Sequence, residues 1–406
     1  MTVADLEGLR LLVEADVYKA GRRAARLRRG PEGVEFSYDA DYLADPGPAV
    51  ATTLPLTDQP LRTTGGAVPP FFAGLLPEGR RLSGLRRAVK ASADDELSLL
   101  LAVGRDPVGD VQVVPHGEEP SPAEPLVQVS RDWGEVRFAD VLAEGNVVDP
   151  VALPGVQDKA SARMIAVPVA RAGERYLLKV DPPECPHVVE NEAFFLDLAR
   201  RARIDVTRAT VVRDRDDRPG LLVRRFDRVA LPSGSASSLA CEDACQVLGR
   251  WPADKYAVTS EEVVSALAAL CPARLVATRA LFQQLCFAWL TGNGDVHAKN
   301  LSILGGEGGE WRIAPAYDLP STVPYGDLTL ALTLNGRTRG LSRRHLLGFA
   351  DRVGLPPAAA EGVLDALLER ISGLDDEIGA GALPFDHAVA AKVARELRHR
   401  RKQACA

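Results

Sequence analysis

Gly294-Asp295-Val296-His297-Ala298-Lys299-Asn300 sets an acid five positions before an asparagine, in a polar loop behind an apolar helical stretch. A second acid, Asp318, closes the apolar run Ile313-Ala314-Pro315-Ala316-Tyr317, 18 residues beyond Asn300. Residues 301–304 and 311–314 read as the arms of a hairpin turning through Gly305-Gly306-Glu307-Gly308-Gly309, which returns the chain and sets Asp318 beside Asn300. A carboxylate and an amide oxygen side by side suit Mg²⁺, which takes hard oxygen ligands together with phosphate oxygens. A carboxylate in the preceding loop suits receipt of a proton from an attacking hydroxyl. An Asp, an Asn five residues on and a later Asp is the order in which protein kinases carry their base and metal ligands. Taken singly, Asp295 and Asn300 read better as helix caps in a solvated turn. The combination carries the chemistry.

Such a site also needs a cation. Lys179 lies inside the strand-like run Tyr176-Leu177-Leu178-Lys179-Val180, and Glu192 falls early in the helical stretch that follows. A lysine among Leu and Val either snorkels to an edge or meets an anion. Paired with a helix glutamate, it matches the kinase ion pair that aims an ammonium at ATP phosphates. A surface salt bridge is the plainer reading of the same two residues. Leu153-Pro154-Gly155-Val156-Gln157-Asp158-Lys159 is a less specific turn. One glycine permits close backbone approach and Lys159 offers a point charge, but Pro154 lacks an N–H, so neither standard glycine-rich phosphate loop is present.

The elements that hold these residues follow from periodicity. The 406 residues are 46% apolar and 26% charged, which suits a globular chain of two or three lobes. Strand-like runs at 11–18 and 33–38 flank a polar turn, and a corner bounded by Pro and Gly spans 69–79. Helical spacing then leads to a short strand at 111–114, so residues 1–115 read as a β-rich N-terminal domain. Residues 116–128, rich in Pro and Glu, read as a linker. Residues 129–240 form a small strand-rich lobe and 241–406 a larger helical one. In the latter, Leu281, Phe282, Leu285, Cys286 and Trp289 share one helix face, which Gly292-Asn293-Gly294 terminates. The basic runs at 22–29 and 395–402 read as solvated faces. A net charge of −6 argues against a general nucleic-acid coat. Of six scattered cysteines only Cys241 and Cys245 are close, so neither zinc nor disulfides are expected, and a reducing, cytoplasmic setting is. No basic-then-apolar leader opens the sequence, and no apolar run nears the ~20 residues of a membrane span.

On these residues the chain resembles the HipA family of serine/threonine kinase toxins along nearly its whole length. The matching pieces are Phe71-Phe72-Ala73-Gly74-Leu75-Leu76-Pro77-Glu78-Gly79, Val108-Gly109-Asp110, Pro154 to Lys159, Glu190-Asn191-Glu192, Arg225-Phe226-Asp227-Arg228 and Glu242-Asp243-Ala244-Cys245-Gln246. Gly294 to Asn300 and Tyr317-Asp318-Leu319 are the most specific of them. The resemblance implies an α+β fold, with a two-lobed protein-kinase-like core distantly similar to phosphoinositide kinases, a helical C-terminal lobe, and a β-rich domain in front. It implies ATP and Mg²⁺ as cofactors, with Asp295 as proton acceptor, Asn300 and Asp318 on the metal, and Lys179, supported by Glu192, on the phosphates. Pro154, Gly155, Val156, Gln157, Asp158 and Lys159 would form the phosphate-side loop. Arg224, Arg225 and Phe226 would connect the lobes and meet adenine through backbone groups. His297, Ala298, Lys299 and Tyr317 would line the nucleotide pocket, a loop-stabilising hydrogen bond being the alternative role for His297.

Family members act on translation components, notably aminoacyl-tRNA synthetases, and are held by a HipB-like helix-turn-helix antitoxin that binds operator DNA. The resemblance thus implies a protein substrate, an antitoxin partner, DNA contact only through that partner, and no membrane. One departure is Ala152, which stands where the family often carries an autophosphorylated serine and has no hydroxyl for that self-inactivation. Arg224 stands where an acidic residue can occur, which leaves backbone contacts intact. Two other functions remain open to these residues: a small-molecule or lipid kinase of the same fold, and a catalytically weak co-repressor subunit.

Overall fold

The computed structural model describes residues 3–92, 94–120, 127–128, 132–144, 165–171, 174–230, 236–306 and 308–406. The N-terminal region folds as an antiparallel sheet of β1 (Glu14–Lys19), β2 (Arg22–Arg29), β3 (Gly33–Tyr38), β4 (Leu61–Thr64) and β5 (Val111–Pro115), in the order β4-β3-β2-β1-β5. Strict alternation in β3 buries Val34, Phe36 and Tyr38, and these pack with Phe71 and Phe72 of the helix Pro70–Gly74. The reading of 22–29 as a solvated basic face is corrected here. Those residues form the central strand β2, with Ala24, Ala25 and Leu27 buried while the arginines reach outward to Asp16, Asp39 and Glu14. The strand expected at 11–18 begins later, at Glu14, because residues 9–11 form a 3-10 turn.

A second sheet, ordered β6-β7-β8-β10-β9, comprises β6 (Val127–Gln128), β7 (Ile165–Arg171), β8 (Glu174–Val180), β9 (Ala209–Arg213) and β10 (Pro219–Arg224). Residues 127–128, assigned above to the linker, are therefore sheet residues, paired in parallel with β7. One sheet face packs Val167, Leu178, Val180 and Leu222 on Trp133 and Phe138. The helix Val188–Arg201 covers the other face, joining Leu221 and Val223 to the main core.

Beyond a ribbon of β11 (Arg228–Ala230) and β12 (Ala236–Ser238), the chain becomes helical around one small sheet of β13 (Cys241–Asp243), β14 (Ser302–Gly305) and β15 (Trp311–Ile313). The helix Arg274–Thr291 is buried nearly all round, with Leu281, Phe282, Leu285, Cys286 and Trp289 in the core. The run at 395–402 is not wholly a solvated face. It lies in the last helix, His387–Cys405, where Arg400 is only 1% exposed. Among the described residues no helix is long and apolar enough to cross a membrane.

Candidate active site

The helix Arg274–Thr291 delivers its C-terminus to the loop carrying Asp295 and stops on Gly292, whose φ of 71° is the left-handed cap that glycine adopts without strain. Gly294 has no room for a side chain, since a Cβ there would lie 2.4 Å from the Thr329 carbonyl oxygen. Between them, Asn293 accepts the Asp295 N–H at 2.9 Å and donates through Nδ2 to the Asp318 carbonyl at 3.2 Å, so one amide ties the two acidic loops together. The Asp295 carboxylate is buried, and its Oδ1 accepts a hydrogen bond from the Tyr256 hydroxyl at 3.0 Å. A 3-10 turn, Ala298–Asn300, follows, with Asn300 Oδ1 accepting the His297 N–H. β14 and β15 then pair as an antiparallel hairpin and bring the chain back. Asn300 Nδ2 donates to Asp318 Oδ2 at 2.8 Å. Asp318 has a φ of 59°, a left-handed conformation that short polar side chains tolerate better than most.

The other lobe contributes the cation. Lys179 projects from β8 and donates to both oxygens of Glu192, at 2.8 and 3.0 Å, and to Asp318 Oδ1 at 3.2 Å. Burial alone would favour the neutral amine, but the Asp318 and Glu192 carboxylates outweigh it and push the Lys179 pKa up. Burial pulls Asp318 upward too, yet the Lys179 ammonium and the Asn300 amide hold it below the usual carboxylate range. For Glu192 burial wins, and its pKa rises to about 6 despite the ammonium. One ammonium thus serves two carboxylates, with a surplus of negative charge beside an amide. That donor set fits a hard divalent cation held by one or two carboxylate or amide oxygens and completed by phosphate oxygens.

The remaining expected residues divide. His297 is buried against the Tyr256 ring, with centroids 5.1 Å apart. Burial, reinforced by Lys255, drives its imidazole down to about 3, so it is neutral, and its Nδ1 has no hydrogen-bond partner among the described residues. Tyr317 stacks obliquely on Phe226 at 5.6 Å, and its hydroxyl donates to the Lys299 carbonyl. Ala298 is buried, and its N–H donates to the Lys255 carbonyl. Lys299 is not brought to Lys179 and Asp318. Its ammonium reaches the Gly74 carbonyl at 3.0 Å and Asp243 at 2.9 Å, toward the N-terminal region. Arg224 pairs with Glu174, and the Arg225 guanidinium is buried against Asp227, Asp106 and the Pro107 carbonyl. Pro154 to Lys159 lie outside the described residues. Sequence reasoning gave no site role to Asn293, Tyr256, Lys255 and Glu78, although Asn293 belonged to the helix stop and Glu78 to one of the matching pieces. Asn293 sits beside the loop it braces, but the others are distant in the chain and carry no spacing signal.

Comparison with known proteins gives a consistent picture. Residues 15–114 match the HipA N-terminal domain and residues 151–373 the HipA-like C-terminal domain. Y4mE of Sinorhizobium fredii is 30% identical over 382 residues, covering 89% of each chain. The serine/threonine-protein kinase toxin HipA of Shewanella oneidensis is 26% identical over 362 residues, or 82% of each. Among solved structures, HipA in the Shewanella oneidensis MR-1 complex of HipA, HipB and operator DNA superposes with a TM-score of 0.76. That match covers 96% of this chain and 97% of the other at 22% identity, so the likeness is one of fold.

Proposed function

Because the chain belongs to the HipA family, we propose that it is an ATP-dependent serine/threonine protein kinase of toxin type, with Asp295 as its base. The observation supporting this most directly is the cluster of Lys179, Glu192, Asn300 and Asp318, hydrogen-bonded across two lobes and braced to the Asp295 loop through Asn293. The acceptor hydroxyl oxygen attacks the γ-phosphorus of ATP while its proton passes to the Asp295 carboxylate. The bond from that phosphorus to the β-phosphate oxygen breaks, and ADP leaves. Lys179, oriented by Glu192, presents its charge to the phosphate oxygens. Asn300 and Asp318 would hold Mg²⁺, which when bound neutralises phosphate charge. Arg224 and Arg225 already commit their N–H groups to the Arg208 and Arg175 carbonyls. Phe226, beside Tyr317, is then the connector residue whose backbone meets adenine. Pro154 to Lys159 complete the phosphate side in this reading.

The acceptor is a protein of the translation machinery, an aminoacyl-tRNA synthetase being the leading class, and the partner is a HipB-like helix-turn-helix antitoxin through which DNA is met. The fold likeness to HipA in the Shewanella complex supports that partnership. Incubation of pure protein with labelled ATP, Mg²⁺ and a cell lysate should mark a discrete protein band. Asp295→Asn should cut the transfer rate by about 10²–10⁴-fold, the usual contribution of a positioned base. Equal labelling by that variant would remove Asp295 from the role.

A further inference from the structure

Tyr256 takes no part in the transfer just described, yet its hydroxyl donates to Asp295 Oδ1 at 3.0 Å. The residue is 40% exposed, so burial does not account for its placement. His297 and Lys255 help to orient the ring. It meets His297 edge-on at 5.1 Å, and the Lys255 ammonium stands 5.3 Å from its centre. That ammonium is ion-paired with Glu78, which precedes the N-terminal region's helix Gly79–Val89. The Lys255 carbonyl in turn accepts the Ala298 N–H at 3.2 Å, so the same short loop is fastened to the loop carrying Asp295.

We propose that Tyr256 is a positioning residue for Asp295, held in place from the N-terminal region by the Glu78–Lys255 ion pair. The proposal rests on the reading of Asp295 as the base. A carboxylate turns easily about its Cβ–Cγ bond, and a hydrogen bond to one oxygen restrains that rotation while the backbone N–H is held by Asn293. The donor is a neutral phenol, which orients the carboxylate without setting a second formal charge against it. The Lys255 ammonium acts on the ring, and the Glu78 carboxylate that pairs with it also reaches Lys299 at 3.7 Å.

Tyr256→Phe keeps the ring and removes the donor. The expected result is a fall in kcat of about tenfold, with KM for ATP within about twofold and at most a small drop in melting temperature from the donor that the buried carboxylate loses. Lys255→Met, which removes the ammonium over the ring and leaves Glu78 to Lys299, should lower kcat in the same way but by less. The double variant should be no slower than Tyr256→Phe alone, since both changes act through one hydroxyl. Wild-type kcat in Tyr256→Phe, a loss confined to KM or to thermal stability, or multiplying effects of the two substitutions would overturn the proposal. Failure of the underlying reading looks different: Asp295→Asn would then match the wild type whatever Tyr256 does.

Discussion

Asn293 is 1% exposed and uses both ends of its amide, Oδ1 for the Asp295 N–H and Nδ2 for the Asp318 carbonyl. The two acids are far apart along the chain, so this cross-brace sets their separation more directly than either loop does alone. Asn293→Asp keeps the acceptor and loses the donor, and it adds a further carboxylate beside Asp295 and Asp318. Its kcat should fall by about 10–10²-fold, the range expected when reacting groups are misplaced by a fraction of an ångström to an ångström. Asn293→Ala should in addition cost about 1–3 kcal/mol of stability for the buried partners it strands. Steady-state kinetics with a melting curve separates the two, and a fully active Asn293→Asp would refute the brace. Asp295, Asn300 and Asp318 stand out in the sequence by their order and spacing in combination, since single acids after apolar runs also occur at Asp181 and Asp214. The direction of Lys299 was not legible, because a loop lysine one residue from Asn300 can face either side of the chain. Here Asp243 and the Gly74 carbonyl, rather than Asp318, hold its ammonium.

At the level of elements, the site depends on where the helix Arg274–Thr291 ends, and Arg400 of the last helix fixes that end. Its guanidinium donates to the Trp289 carbonyl at 3.0 Å and the Leu328 carbonyl at 2.8 Å, pairs with Glu396, and lies 4.1 Å over the Trp289 ring. A cation at a helix C-terminus also opposes the macrodipole. Arg400→Met should destabilise the protein by about 3–5 kcal/mol, since two buried carbonyls and a carboxylate lose their donor. Urea unfolding would measure it, and a change below about 1 kcal/mol would mean that water replaces the guanidinium. Helix stops and hairpins were readable for local reasons: Gly292 caps one helix, and the glycine-rich turn joins β14 to β15. β2 was not. A register shift in its pairing with β1, between Val17 and Tyr18, leaves Ala24 and Ala25 both buried, which breaks the two-residue alternation by which a strand is recognised. Its arginines find carboxylates across the sheet, and that depends on tertiary placement alone.

Across the whole molecule, the N-terminal region is wired into both the connector and the helical lobe. Thr52 bonds Glu242 through its N–H and hydroxyl, and Lys299 reaches back to Gly74. The densest junction surrounds Asp227, which accepts from the Gly109 N–H, Arg225 and Arg228, while the same two arginines also pair with Asp106. Burial alone would raise the Asp227 carboxyl, but the Arg225 and Arg228 guanidiniums and the Gly109 N–H hold it below its usual range. In the unfolded chain that carboxyl protonates near its ordinary value of about 3.9, so at and just below that pH the unfolded state binds more protons than the folded one. Stability from Asp227 is therefore fully present above the unfolded value and is lost as the pH falls through the folded one. Asp227→Asn should remove this part of the acid dependence. At neutral pH it should also cost about 3–5 kcal/mol, because two buried guanidiniums lose their shared carboxylate. Denaturant titrations at neutral pH and across the acid limb test both parts, and an unchanged unfolding free energy at neutral pH would show the junction to be incidental. Since Arg225 belongs to the connector proposed to meet adenine, the same variant should bind ATP more weakly, a coupling that a purely local loss of stability would not produce.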